Sequence, residues 1–307
     1  MTVKTWRVPT LVLICGAAVL ALNMGTRQTF GLFLEPIIAD LGIGRGNFAL
    51  AIAVQNLIWG VLTPFFGVFA DRYGTARCLA FGGVVYMLGI LIMALGGTVF
   101  ALHLGGGVLV GIAVAACGFP LVLAAVARAV PPERRSISLG IASAGGSLGQ
   151  FLLLPFTQIT MGWLGWVGAL VVLAVLSALI VPFSAALAGK PAAQSVGELS
   201  LGGAVKEARQ HRGFQLLIAG FFVCGFHVAF IATHLPAYIN TFGLDPLVGA
   251  SALGIIGFFN IVGGLLAGYL GGRFRKKYIL SGIYLARSIA IALFLIAPNA
   301  IAIERAK

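Results

Sequence analysis

Long apolar segments alternate with short polar ones along almost the whole chain. A helix needs about 20 apolar residues to cross a hydrocarbon core about 30 Å thick, and nine segments of this chain reach that length. Backbone groups in lipid have to be paired within the spanning structure, and these segments are about twice as long as a barrel strand. The pattern therefore predicts nine membrane-spanning helices, called spans 1 to 9 in chain order: residues 8–33, 48–70, 78–97, 101–127, 137–159, 163–187, 214–238, 248–271 and 278–297.

The composition agrees with an all-α membrane protein. Only 9% of the residues are charged and 60% are hydrophobic, whereas a soluble domain has about 25% charged residues. The net charge of +12 does not form a patch for nucleic acid, because the basic residues cluster at the amino terminus and after spans 2, 4, 6 and 8. Basic loops face the cytoplasm. We therefore expect a protein of a bacterial-type cytoplasmic (inner) membrane with a cytoplasmic amino terminus, in contact with the lipid bilayer and not with nucleic acid.

No cluster of residues predicts a cofactor, a metal site or an enzyme. The four cysteines lack CxxC spacing and lie in or beside apolar spans, where a packing role is expected: Cys15, Cys78, Cys117 and Cys224. An intramembrane enzyme would need an acid–base pair or a metal cluster within the spans, and no carboxylate lies deep in any of them. We therefore expect neither catalysis nor a cofactor.

The longest polar segment, residues 189–213, separates six spans from three. Its composition is typical of a cytoplasmic linker. The chain is therefore divided into a six-helix N-terminal part at residues 1–187, a linker at 188–213 and a three-helix part at 214–307.

Glycines recur at helical spacing in span 5. Gly145, Gly146 and Gly149 have no side chains to keep a neighbouring helix away. Small residues at such spacing let membrane helices approach closely. We therefore predict a packing seam along this face of span 5.

A short charged sequence follows span 2 and recurs in weaker form after span 8. The first copy reads G-x-x-x-D-R-Y-G-x-x-R. The second copy begins 201 residues later, and in it Gly272 takes the place of the acid. A chain built from two parallel halves shows such a repeat. The residues of interest in the two copies are Gly67, Asp71, Arg72, Gly74, Arg77 and Arg273.

This loop resembles the signature of the major facilitator superfamily of secondary transporters, where it joins helices 2 and 3. The resemblance implies the fold of that superfamily, here with a six-helix N-terminal half and an incomplete three-helix C-terminal half. In the family the acid pairs across the two halves, which implies that Asp71 and the arginines form a cytoplasmic gate. The alternative is a solvated loop that only follows the positive-inside rule. Because the family has twelve helices, we expect a truncated or frameshifted product.

Two stretches resemble the monocarboxylate-porter branch of that family and its bacterial relatives. They are TRQTFGLFLEPIIADLG with the following FALAIAVQNLIWG, and GFHVAFIATHLPAYI in span 7. The resemblance places Arg27 where those porters have a basic residue that attracts the carboxylate and the coupled proton. Their substrate-binding arginine in helix 8 has no counterpart, because Asn260 and Gly264 occupy the corresponding acid and arginine positions. The resemblance therefore does not define the substrate of this chain.

Two arginines inside spans need an explanation, because an ionised side chain at mid-membrane costs roughly 2.5–3.5 kcal/mol on insertion scales. Arg27 lies in span 1, four residues after Asn23 and on the same helical face. Since a guanidinium does not deprotonate, we predict a fixed anion clamp. The alternative is that Arg27 reaches the interface or anchors Glu35. Arg287, ten residues into span 9, is predicted to meet either a cavity or a structural ion pair.

Span 7 carries a stripe of polar residues. His227, His234 and Tyr238 fall within about 20° of one face at 100° per residue, and Pro236 is predicted to interrupt the helix beside them. A broken helix with inward polar residues is typical of a transporter binding site, and a histidine takes up a proton near neutral pH. The alternative is that both histidines are hydrogen-bonded packing residues. Metal binding is not expected, because no carboxylate or cysteine is close in sequence.

The leading hypothesis is a monomeric secondary carrier of a small organic anion, working by alternating access with proton coupling or exchange. Its candidate substrate-binding residues are Asn23, Arg27, His227, His234, Tyr238, Asn260 and Arg287. The alternatives are an exporter of a neutral or amphipathic molecule, and a remnant that no longer transports. Small-molecule solutes and protons are the expected partners.

Overall fold

The computed structural model describes residues 9–189, 207, 209–241, 243–271 and 274–305. Within these ranges all regular secondary structure is helical. Seven helical stretches of the described chain are long and apolar enough to cross a membrane, and one of them, Ile137–Ala186, contains both span 5 and span 6. The prediction of an all-α membrane protein is therefore confirmed.

The helices agree with the predicted spans to within a few residues at most ends. Spans 1 to 3 correspond to the helices Pro9–Gln28, Arg45–Tyr73 and Thr75–Leu95, and span 1 ends in a 3₁₀ turn at Thr29–Phe33. A short helix that hydropathy did not predict, Leu34–Leu41, lies between spans 1 and 2. Span 4 contains Val99–Ala101, a π-helical segment Leu102–Leu109, Val110–Ala116 and Phe119–Ala129. After a 3₁₀ turn at Pro132–Arg134, spans 5 to 9 contain Arg135–Ala178, Ile180–Ala186, Arg212–Asn240, Pro246–Gly271 and Lys276–Arg305.

Spans 5 and 6 are separated at Gly165, a few residues later than hydropathy predicts. Gly165 has φ 68° and ψ 177°, in the midst of an otherwise helical stretch. A positive φ of this size favours glycine because it has no Cβ. The flanking residues Leu164 and Trp166 are apolar, so hydropathy locates the boundary between the spans only to within a few residues.

The predicted glycine seam of span 5 packs against span 1. A Cβ added at Gly149 would overlap the backbone oxygen of Ala21, and one added at Gly145 would clash with the backbone of Ala17. Gly25 of span 1 meets the backbone of Gly149 in the same way. The two helix backbones are therefore in direct contact along this seam.

Contacts divide the chain into two compact units, Met1–Asn260 and Ile261–Lys307. The first unit contains spans 1 to 7 and most of span 8, and the second contains the rest. Most of the predicted linker at residues 188–213 lies outside the described residues. The domain boundaries drawn from the sequence stay a prediction.

Candidate functional site

Arg27 is buried at the end of the first helix of span 1, with only 8% of its surface exposed. Its Nη2 donates a hydrogen bond to Oδ1 of Asn56 in span 2. The guanidinium carbon lies 4.7 Å from the ring centroid of Trp59, and residues three apart share a helical face. Arg27 therefore has one polar and one aromatic partner on span 2, and both are neutral.

No carboxylate pairs with Arg27 in the described part of the chain. Within those residues the only ion pair shorter than 4.0 Å joins Arg45 Nη2 to Glu35 Oε1, at 2.9 Å. Arg27 Nε is buried and has no hydrogen-bond partner among the described residues. Glu35 is thus held by Arg45, and the charge of Arg27 has no anionic partner in the described chain.

A small cavity lies beside Arg27, between spans 1, 2 and 7. Its polar wall consists of Arg27, Gln28, Gln55 and Thr233, and Gly31 and Ala232 complete the contact between spans 1 and 7. The cavity measures about 10 Å³, which is room for about one water molecule. A molecule larger than water does not fit into this cavity.

Gln55 connects this cavity to span 4. The side chain is 1% exposed, and its Nε2 donates a hydrogen bond of 2.7 Å to the carbonyl of Gly106. Gly106 belongs to the π-helical segment, a geometry that frequently occurs at functional sites. A neutral glutamine therefore links the cavity wall to an irregular part of span 4.

Span 7 runs as one α-helix through Pro236, so the predicted interruption is wrong. Proline has no N–H to bond the carbonyl four residues earlier, which is that of Ala232. A Cβ added at Gly31 of span 1 would overlap this carbonyl oxygen. Pro236 thus removes the helical partner of the Ala232 carbonyl where span 1 touches span 7, and the absence of a side chain at Gly31 permits the contact.

Replacing Gly31 with alanine is expected to push spans 1 and 7 apart at this contact. The added methyl has no free space, because the neighbouring atoms belong to the backbone of span 7. The probe is a Gln28→Cys substitution in the cavity wall of a protein without native cysteines. This cysteine should react several-fold faster with a hydrophilic maleimide when Gly31→Ala is present than when Gly31 is kept. Gly225→Ala is the control, because a Cβ at Gly225 in span 7 meets nothing within 4 Å. Equal labelling rates in the two backgrounds would contradict the role given to Gly31.

The structure does not bring the predicted polar stripe of span 7 to this cavity. The cavity wall uses Ala232 and Thr233, and at about 100° per residue these point away from the side that carries His227, His234 and Tyr238. The two histidines are half-buried. Tyr238 is 38% exposed. The three residues share one face of the helix, as the spacing predicts, and this face lies on the opposite side of span 7 from the cavity.

The other predicted substrate residues also lie outside the cavity wall. Asn23 is fully buried, and its side-chain Nδ2 donates a hydrogen bond of 2.9 Å to the backbone carbonyl of Cys117. The Tyr86 hydroxyl donates a hydrogen bond of 3.0 Å to the backbone carbonyl of Asn23. Asn23 thereby supports the end of the helix Val110–Ala116. Asn260 is exposed, and Arg287 is half-buried within the unit of residues 261–307.

The charged loop after span 2 is a tight turn at Gly74. This residue has φ 98° and ψ 145°, which favours glycine, and a Cβ at Gly67 meets nothing within 4 Å. The charged side chains are all exposed: Asp71, Arg72 and Arg77. Arg273, the predicted gate residue of the second copy, lies outside the described residues. The gate stays a prediction.

A buried cation without an anionic partner, inside a set of membrane-spanning helices, marks a candidate functional site such as a substrate or ion pathway. The profile of the Major Facilitator Superfamily matches residues 16–303. The chain belongs to this family and is an integral membrane protein. The family membership that the charged loop predicted is thereby confirmed.

Relatives and solved structures agree with this family. The chain is 25% identical to the uncharacterized MFS-type transporter YcxA of Bacillus subtilis (strain 168), over 91% of this chain and 69% of that protein. It is 27% identical to monocarboxylate transporter 13 of Bos taurus, over 82% of this chain and 58% of that protein. A bacterial homolog of the human lysosomal transporter Spinster, inward-facing and unoccupied, shares the fold with a TM-score of 0.68 and 18% identity, over 90% of this chain and 64% of that one. The chain thus spans between 58% and 69% of these proteins.

Proposed function

We propose that the protein carries a small organic anion, such as a monocarboxylate, by alternating access with proton coupling or exchange. The observation that carries this proposal is the buried charge of Arg27, which lacks an anionic partner among the described residues. A buried charge is costly unless it is paired, and carboxylates bind guanidinium groups through two parallel hydrogen bonds. The similarity to a protein named monocarboxylate transporter 13 supports this class of substrate.

Movement of the spans is part of the proposal, because the cavity beside Arg27 holds only about one water molecule. The contact of Gly31 with span 7 closes one side of the cavity beside Arg27. The loop around Asp71 acts as the gate on the other side, which we assign to the cytoplasm together with the amino terminus. We propose the inner membrane as the location and a monomer as the working unit.

Roles for the remaining candidates stay predictions. His227, His234 and Tyr238 would contribute only in a conformation that turns their side of span 7 toward the solute. Asn260, the last residue of the first unit, is exposed, and Arg287 belongs to the second unit. Within the cavity wall, Gln28, Gln55 and Thr233 are the neutral groups that we expect to contact the solute.

The test is transport by the full-length protein in proteoliposomes. We expect saturable uptake of a labelled C3 monocarboxylate, stimulated either by an inward proton gradient or by unlabelled anion inside the vesicles. Dicarboxylates and a neutral sugar serve as comparison solutes. Transport of neutral or cationic solutes with no uptake of any anion would reject the proposal and favour the exporter alternative.

A further inference from the structure

We propose that Asn56 is a neutral stand-in for the substrate carboxylate on Arg27, and that an amide at this position keeps the guanidinium available to an external anion. The inference rests on the proposed function and deepens it. It assigns a specificity-determining role to a residue of span 2 that charge alone does not single out.

The orientation of the Asn56 amide is fixed by its two hydrogen bonds. Its Nδ2 donates to the carbonyl of Ile52 one turn earlier, at 2.8 Å. Its Oδ1 therefore faces away from the backbone and accepts from Arg27 Nη2. Trp59 covers the guanidinium from the next turn of the same helix, 4.7 Å from the ring centroid. Span 2 thus offers Arg27 an acceptor oxygen without a negative charge.

The free donor on Arg27 shows what a carboxylate would add. Nε is buried and has no partner among the described residues, while Nη2 is bonded to Asn56. A carboxylate accepts two parallel bonds from one edge of a guanidinium. A substrate that bridges Nε and Nη2 replaces the Asn56 oxygen at Nη2 and supplies the acceptor that Nε lacks. It also brings the negative charge, so it outcompetes the amide.

An acid in place of Asn56 would remove this advantage. A carboxylate on span 2 would neutralise Arg27 permanently and compete with the substrate from within the protein. The variant Asn56→Asp should therefore bind the monocarboxylate at least tenfold more weakly than the wild type. The variant Asn56→Leu removes the competing acceptor without adding charge, and its affinity should equal the wild type or exceed it.

The experiment measures thermal unfolding and direct binding of pyruvate, as the monocarboxylate probe, with the purified full-length protein. Asn47→Asp is the matched control, because it adds the same acid at an exposed position nine residues earlier on the same helix, about 13 Å along its axis. We expect pyruvate to raise the unfolding temperature of the wild type, of Asn56→Leu and of Asn47→Asp. Asn56→Asp should unfold at a higher temperature without pyruvate and show no further rise with it.

If the wild type binds pyruvate, either of two results would overturn the inference. One is wild-type affinity in Asn56→Asp, which would mean that an acid there does not compete. The other is an equal loss of affinity in Asn56→Leu, which would make Asn56 a direct ligand and not a stand-in. If the wild type itself fails to respond to pyruvate and to other organic anions, it is the proposed function that fails.

Discussion

Replacing Arg27 with glutamine is expected to lower kcat/KM for anion transport by at least tenfold. Hydrogen bonds to charged groups contribute about 1.5–3 kcal/mol each, and about 1.4 kcal/mol corresponds to a factor of ten. Glutamine keeps much of the side-chain length but loses the charge and the fork of donors. Initial uptake rates of a labelled monocarboxylate in proteoliposomes, at matched protein amounts, measure the effect.

The matched control for this variant is Arg45→Gln. Arg45 pairs with Glu35 at 2.9 Å, and its side chain is 61% exposed. Exposed ion pairs contribute about 0–1 kcal/mol, so transport should fall by less than about fivefold. The transport rate of Arg27→Lys should lie between those of Arg27→Gln and Arg45→Gln, because lysine keeps the charge but loses the planar fork of donors. Anion transport by Arg27→Gln at the wild-type rate would argue against an anion clamp.

The second large effect is expected at the seam between spans 1 and 5. Replacing Gly149 with alanine puts a methyl group into the backbone of Ala21, where neither helix can yield without separating. Overpacking of this kind costs about 1–3 kcal/mol. We expect a clear fall in unfolding temperature and in the yield of monodisperse protein on size exclusion.

Gly140 provides the control on the same helix. A Cβ at Gly140 meets nothing within 4 Å, and alanine is more favourable than glycine in a helix by about 0.5–1 kcal/mol. Gly140→Ala should therefore be as stable as the wild type or slightly more stable. Equal stability of the two alanine variants would mean that the seam is not a close contact in solution.

Much of the fold follows from hydropathy, because a membrane requires long apolar helices and their ends are marked by charge. The exceptions have local causes. The turn at Gly165 lies between apolar residues, so only its positive φ distinguishes it. Pro236 was predicted to break span 7, but the loss of a single hydrogen bond leaves the rest of the helix intact.

The site was only partly predictable. Arg27 stands out in the sequence because a buried charge is expensive, and the structure buries it as expected. Asn56 and Trp59 are neutral, so no comparable penalty marks them as partners of a cation. Their adjacency on one face, one turn apart, was the available signal. The direction of the histidine face of span 7 depends on packing between helices, which spacing along one helix does not determine.

Protection of Thr233→Cys by a carboxylate tests the central claim most directly. Thr233 is 7% exposed and lies in the wall of the cavity beside Arg27. In a protein without native cysteines, we expect a hydrophilic maleimide to label this position and a saturating monocarboxylate to slow the labelling. The protection should disappear when Arg27→Gln is added. Labelling that is blocked from both sides of the membrane, or that is unchanged by the carboxylate, would contradict an anion site at Arg27.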